Sequence, residues 1–166
     1  MVRRLRSLWA FLLAAAAAVL LRGLAVTQPG PATHVLSPLN ESAWELSKLA
    51  FWPYLCAALL LWRLEPPQTA RRGAHCAALL SAAVLMAALC QLLRELVPVW
   101  LLFCIAVGGG MALYHTVLRR RVRGGALWYL PAILLGVAYL LLTARPLTWG
   151  IFLDPRDAAA MATIPF

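Results

Sequence analysis

Long apolar runs, each near the length of a membrane crossing and each divided from the next by a short polar stretch, constrain this chain more than any other feature. Hydrocarbon about 30 Å thick is crossed by roughly 20 helical residues rising about 1.5 Å each. Four runs reach or approach that length, at about 5–26, 74–93, 97–118 and 126–142. A further run, Leu49 to Trp62, has 14 uninterrupted residues and covers only about 21 Å. It spans only if the residues from about 41 onward also enter the outer membrane region, bringing Glu45 and Lys48 with them. On the insertion scale a central charge costs about 2.5–3.5 kcal/mol and each large apolar residue returns about 0.3–0.6 kcal/mol. Fourteen apolar residues therefore tolerate two charges near one end.

Backbone polar groups must be satisfied internally in lipid, so each run is expected to be helical. The expected fold is all-α: an integral membrane helical bundle of about five transmembrane helices forming one domain over residues 1–166. The helices are expected at about 5–26, 41–63, 74–93, 97–118 and 126–142, with an external tail over 143–166. Hydrophobic residues make up 63% of the chain and charged residues 13%, against about 45–50% and about 25% in soluble domains. A soluble chain this small could not bury that excess, because small domains bury the smaller fraction of their surface.

Charge placement sets the orientation. Arg3, Arg4 and Arg6 precede the first run, Arg63, Arg71 and Arg72 follow the second, and Arg119, Arg120, Arg121 and Arg123 follow the fourth. These hold ten of the fifteen basic residues. With five spans all three clusters fall on one side, while Glu41, Glu45, Glu95, Asp154 and Asp157 fall on the other. Cytoplasmic loops are enriched in Lys and Arg, so an N-in, C-out multipass protein of the cell membrane is expected, with the lipid bilayer as its partner. The net charge of +9 does not read as nucleic-acid binding, because the arginines lie between apolar runs and no nucleic-acid-binding motif accompanies them. The basic start and the small residues Gly23 and Ala25 also suit a cleavable signal peptide, but the length of the apolar stretch and the position of Arg22 favour a retained helix.

No cofactor or metal is expected. Cys56, Cys76, Cys90 and Cys104 lie in or beside apolar runs with no CxxC or CxxH spacing and read as small buried hydrophobes. His34, His75 and His115 fall on both sides of the membrane and cannot meet at one ion. No GxSxG, HExxH, P-loop or dinucleotide fingerprint occurs. Gly108, Gly109 and Gly110 lie mid-run, where small residues let membrane helices approach closely, and a helix–helix contact surface is expected there; a hinge is the alternative, because glycine weakens a helix.

The stretch Asn40 to Pro53, NESAWELSKLAFWP, carries the chemistry. Ser37 followed by Pro38 suits a helix start. From there Glu41, Glu45, Lys48 and Trp52 recur at helical spacing on one face. One reading is structural, with the acids favouring the helix N-terminus and Lys48 pairing with one of them. The other is a ligand or ion site, because ionisable residues inside a membrane are functional candidates. The candidate polar site comprises Asn40, Glu41, Trp44, Glu45 and Lys48, joined at the same membrane level by Arg94, Arg145 and Asp154.

The strings SPLNESAWELSKLAFWP (Ser37 to Pro53) and IFLDP (Ile151 to Pro155) resemble a group of small bacterial five-span membrane proteins classed as a domain of unknown function. That group has an S-P-x-N-E-S-x-W-E-H-x-K-L motif before the second helix and an aspartate-proline motif after the last. Asn40, Glu41, Ser42, Trp44, Glu45, Lys48 and Pro53 match the first, and Asp154 with Pro155 the second. Leu46 replaces the family histidine, so no proton- or metal-handling role carries over to that position. The resemblance runs along the whole chain and implies a bacterial inner-membrane location, but no activity. The expected function is a small transporter-like or ligand-binding module with a polar site at its outer face. The alternatives are a membrane-embedded enzyme using Glu41 or Glu45 as base, and a membrane assembly factor.

Overall fold

A computed structural model describes residues 2–28, 30–38, 40–64, 69–113, 125–145, 147, 150–152 and 154. The described residues form six α-helices and no strand: α1 (Val2–Thr27), α2 (Pro31–Leu36), α3 (Ala43–Leu64), α4 (Thr69–Leu93), α5 (Val99–Leu113) and α6 (Tyr129–Ala144). Two short 3₁₀ turns, Gly125–Trp128 and Gly150–Phe152, bracket α6. Arg119, Arg120, Arg121, Arg123, Tyr114, His115 and Asp157 lie outside the described residues, as do the side chains of Arg3, Arg4, Arg6, Arg71 and Arg72.

Two segments, Leu8–Thr27 in α1 and Gly73–Leu93 in α4, are long and apolar enough to cross a membrane. The described residues are all-helical, with two candidate spans among them by length and composition. α5 and α6 are equally apolar but shorter, at 15 and 16 residues, than the crossings expected at 97–118 and 126–142; residues 114–118 of the former lie outside the described part.

The start of α3 differs from the expected Ser37–Pro38 cap. Ser37 closes α2 instead, its backbone N–H donating to the Thr33 carbonyl. α3 begins at Ala43, with Ser42 Oγ accepting the Glu45 N–H at 3.2 Å. Asn40 Oδ1 accepts the Ser42 N–H at 3.0 Å and holds the approach. Ser42 and Glu45 have the serine-x-x-glutamate spacing of a helix start, and that local chemistry overrides the proline upstream. Glu41 consequently precedes the helix and is exposed, so the shared face begins at Glu45.

Small residues set the packing. Ala10, Ala14 and Ala18 repeat every turn of α1, are all buried, and lie on the side of α1 that meets α3. α4 packs against both α3 and α5, and half of its buried residues are alanine: Ala74, Ala77, Ala78, Ala82 and Ala83. The closest approach is at Gly110 of α5. A methyl group added there would stand 2.7 Å from the Ala78 carbonyl oxygen and 3.1 Å from Ala82 Cβ. At Gly109 it would meet only the end of the Leu85 side chain, at 2.9 Å, and at Gly108 nothing within 4 Å. Of the three glycines, Gly110 lets two backbones touch. Gly110→Ala should therefore destabilise the protein by about 1–3 kcal/mol, the usual range for overpacking. Gly108→Ala should stabilise it by about 0.5–1 kcal/mol through helix propensity. Thermal unfolding in mild detergent separates the two, and equal effects would remove the special role of Gly110.

α6 meets α3 through large side chains. Tyr139 lies 4.6 Å from Trp44, 5.1 Å from Phe51 and 6.3 Å from Trp52 between ring centroids. Gly136 lies beside the Phe51 ring, and a methyl added there would make ordinary contact with it, 3.5 Å from Cζ.

Candidate functional site

The ends of several elements converge at one end of the bundle: the C-terminal part of α1, the start of α3, the end of α4, the start of α5 and the segment after α6. The polar residues there form two layers, one buried and one open.

The buried layer centres on Lys48, whose side chain has no solvent exposure. Its Nζ lies 2.6 Å from Glu45 Oε1 and 2.7 Å from Oε2, and donates to Thr143 Oγ1 at 2.6 Å. Thr143 Oγ1 in turn donates to the Tyr139 carbonyl at 2.6 Å. Ser47 Oγ donates to the Trp44 carbonyl at 2.6 Å, which commits its only proton. The Tyr139 hydroxyl, 2.5 Å from Ser47 Oγ, must then donate to it. A buried ammonium is tolerable only when paired and hydrogen-bonded. Here Glu45, one helical turn away, supplies the charge, and Thr143 of α6 supplies a second acceptor. The outcome is a polar clasp joining α3 to α6 at the level where Tyr139 packs on Trp44. The indole Nε1 atoms of Trp44 and Trp52 are buried beside it without an acceptor among the described residues.

The open layer is a half-enclosed groove of about 550 Å³, within the usual range of about 300–1,000 Å³ for ligand pockets. Arg22, Asn40, Glu41, Arg94, Glu95 and Asp154 provide its polar walls, over Leu46, Leu49, Val99 and Trp100. Arg94 Nη1 donates to the Glu41 carbonyl at 2.8 Å, and its Nε lies 3.3 Å from Glu95 Oε1. Asp154 Oδ2 accepts the Glu41 N–H at 3.0 Å. Two residues before Asp154, Phe152 sets its ring 5.1 Å from Trp44. The segment after α6 is thereby fastened across the approach to α3, and an acid at a helix start is electrostatically favourable.

Of the candidate site residues, Asn40, Glu41, Arg94 and Asp154 come together on the groove. Glu45 and Lys48 form the clasp beneath it, with Trp44 stacked between Tyr139 and Phe152. Arg145 is exposed at the end of α6, its backbone N–H on the Leu141 carbonyl, and does not line the groove. Glu45 pairs with Lys48 of its own helix, as the structural reading of this stretch expects, because a partner three residues away needs no second element to be in register. Four participants were not anticipated. Arg22 lines the groove, although its place near the end of an apolar run signals only a retained helix. Tyr139 and Thr143, four residues apart on α6, share a face and could have been flagged as hydroxyl groups inside an apolar run; so could Ser47.

No group of three or more His, Cys, Asp or Glu side chains suited to a metal ion occurs among the described residues. Comparison with protein-family models, curated proteins and solved structures finds no match to this chain.

Proposed function

We propose that this protein is a five-span, N-in, C-out membrane bundle whose groove opens on the outer face and binds a small polar or amphiphilic ligand. The groove itself carries this reading: opposed charges stand above an apolar floor at one end of an apolar bundle. The five-span arrangement is supported by the surface. Leu12, Val19, Leu20, Val84, Leu101, Ile105, Ile133, Leu134 and Leu141 are exposed on α1, α4, α5 and α6, more apolar surface than water-soluble chains usually leave uncovered. The charged pair Glu45–Lys48, by contrast, is buried. Retention of α1 is supported by its alanine seam against α3. The outward orientation is supported by the basic clusters in the alternate loops. Membership of the group with the SPxNESxWE motif belongs to the same proposal, and residues 37–53 and 151–155 carry it.

A binding role is favoured over catalysis with Glu45 as base because Glu45 is engaged with Lys48 beneath the groove; Glu41, the other candidate base, stands on the wall among the charged residues that would hold a ligand. It is favoured over a through-going transport path because Leu46 and Leu49 are buried at the floor. The test is side-specific labelling of Asn40→Cys in a background whose four native cysteines are alanine. A membrane-impermeant maleimide should label it on intact cells. Labelling only after permeabilisation would refute an outward-facing groove.

A further inference from the structure

Resting on that outer-face reading, we infer that the groove takes the headgroup of an aminophospholipid: an ammonium–phosphate zwitterion carried on an apolar chain. The polar lining holds two cations, Arg22 and Arg94, and three acids, Glu41, Glu95 and Asp154. A simple anion would meet the acids and a simple cation the arginines, so neither is matched to the whole lining. A zwitterion is. Arg94 is already committed to the Glu41 carbonyl and to Glu95. Arg22 has no side-chain hydrogen bond or ion pair among the described residues, so its guanidinium fork is available, and forks of this shape bind phosphate oxygens two at a time. The Glu95 side chain lines the same groove and is 81% exposed at the rim, and it is the acid that this inference assigns to the ammonium group.

The apolar floor identifies the rest of the ligand. Leu46 and Leu49 are buried, whereas Trp100 is exposed at the start of α5 and sits one turn beyond exposed Leu96 and next to exposed Leu101. The apolar wall is thus continuous with the exposed surface of α5, and a chain attached to the phosphate can leave the groove along it. A tryptophan at this level suits the interface between headgroups and acyl chains. A free zwitterion without a chain would use only the polar half of the groove.

The experiment titrates the purified full-length protein, stripped of lipid in detergent, with three probes and follows each by native mass spectrometry. The probes are short-chain phosphatidylethanolamine, short-chain phosphatidylglycerol and free phosphoethanolamine. Phosphatidylethanolamine should bind at least about tenfold more tightly than either other probe. Arg22→Gln, an exposed change, should weaken it by about tenfold, the scale of one charge-assisted hydrogen bond to phosphate. Glu95→Gln should weaken phosphatidylethanolamine but strengthen phosphatidylglycerol, because it removes the ammonium partner and releases Arg94. Equal binding of the two lipids, or indifference to Arg22→Gln, would overturn the inference. Free phosphoethanolamine binding as tightly as the lipid would also overturn it, in favour of a soluble zwitterion. If no probe binds while Asn40→Cys is still labelled from outside, the lipid assignment fails and the outer-face groove stands. If Asn40→Cys is not reached from outside, the underlying reading has failed first.

Discussion

Replacing Glu45 with glutamine should destabilise the protein by about 3–5 kcal/mol, the typical cost of removing one partner from a buried pair. The Lys48 ammonium has no solvent exposure and touches both Glu45 oxygens. Glutamine keeps the shape of the acid but not its charge, and Thr143 alone is a poor counterpart to a buried cation. Glu41→Gln provides the comparison. Glu41 is exposed and precedes the helix, so its neutralisation should change stability by no more than about 0.5 kcal/mol. A double replacement, Glu45→Met with Lys48→Met, should recover much of the loss, because apolar isosteres often equal a buried ion pair in stability. The measurement is the fraction of folded protein against temperature in mild detergent. If Glu45→Gln is as mild as Glu41→Gln, the clasp contributes nothing and the buried layer is incidental.

Tyr139→Ala should cost about 3–5 kcal/mol, the range for emptying a buried aromatic site. Tyr139 and Ala132 are the buried residues of α6, so much of the attachment of that helix to α3 passes through one ring. Tyr139→Phe keeps the ring and loses the hydroxyl that donates to Ser47, which should cost about 0.5–1.5 kcal/mol. Trp44 and Trp52 flank the ring, so intrinsic fluorescence should report the loosening of α6 as a separate step before global unfolding in the alanine variant. Equal losses in the two variants would mean that the hydrogen bond, not the aromatic packing, fastens α6.

Much of the helical layout was legible because apolar runs broken by polar residues leave few alternatives. The polar end of α3 was legible for a related reason: a 14-residue run cannot reach across hydrocarbon without drawing Glu45 and Lys48 inward. What the residues did not disclose was rotation. The depth of a charge in a bilayer says nothing about which way it points around the helix axis, so membrane level groups Arg94 with Arg145 without showing that Arg94 lines the groove and Arg145 does not. The contact from Lys48 to Thr143 spans 95 residues and arises only when α6 lies against α3. α3 starts at Ala43 and not at Ser37–Pro38 for a local reason: the Ser42–Glu45 spacing caps the helix. Asp154, placed in the candidate polar site by membrane level alone, has its role explained by geometry, because its carboxylate accepts the backbone N–H of Glu41.

Side-specific cysteine labelling, read at both ends of the bundle, tests the membrane reading most directly. With the native cysteines replaced by alanine, an impermeant maleimide added to intact cells should modify Asn40→Cys, which lines the groove. It should leave Arg121→Cys unmodified until the membrane is permeabilised, because Arg121 lies in the basic cluster assigned to the cytoplasm. Modification of Asn40→Cys and Arg121→Cys from the same side would contradict the five-span arrangement and, with it, the assignment of the groove to the outer face.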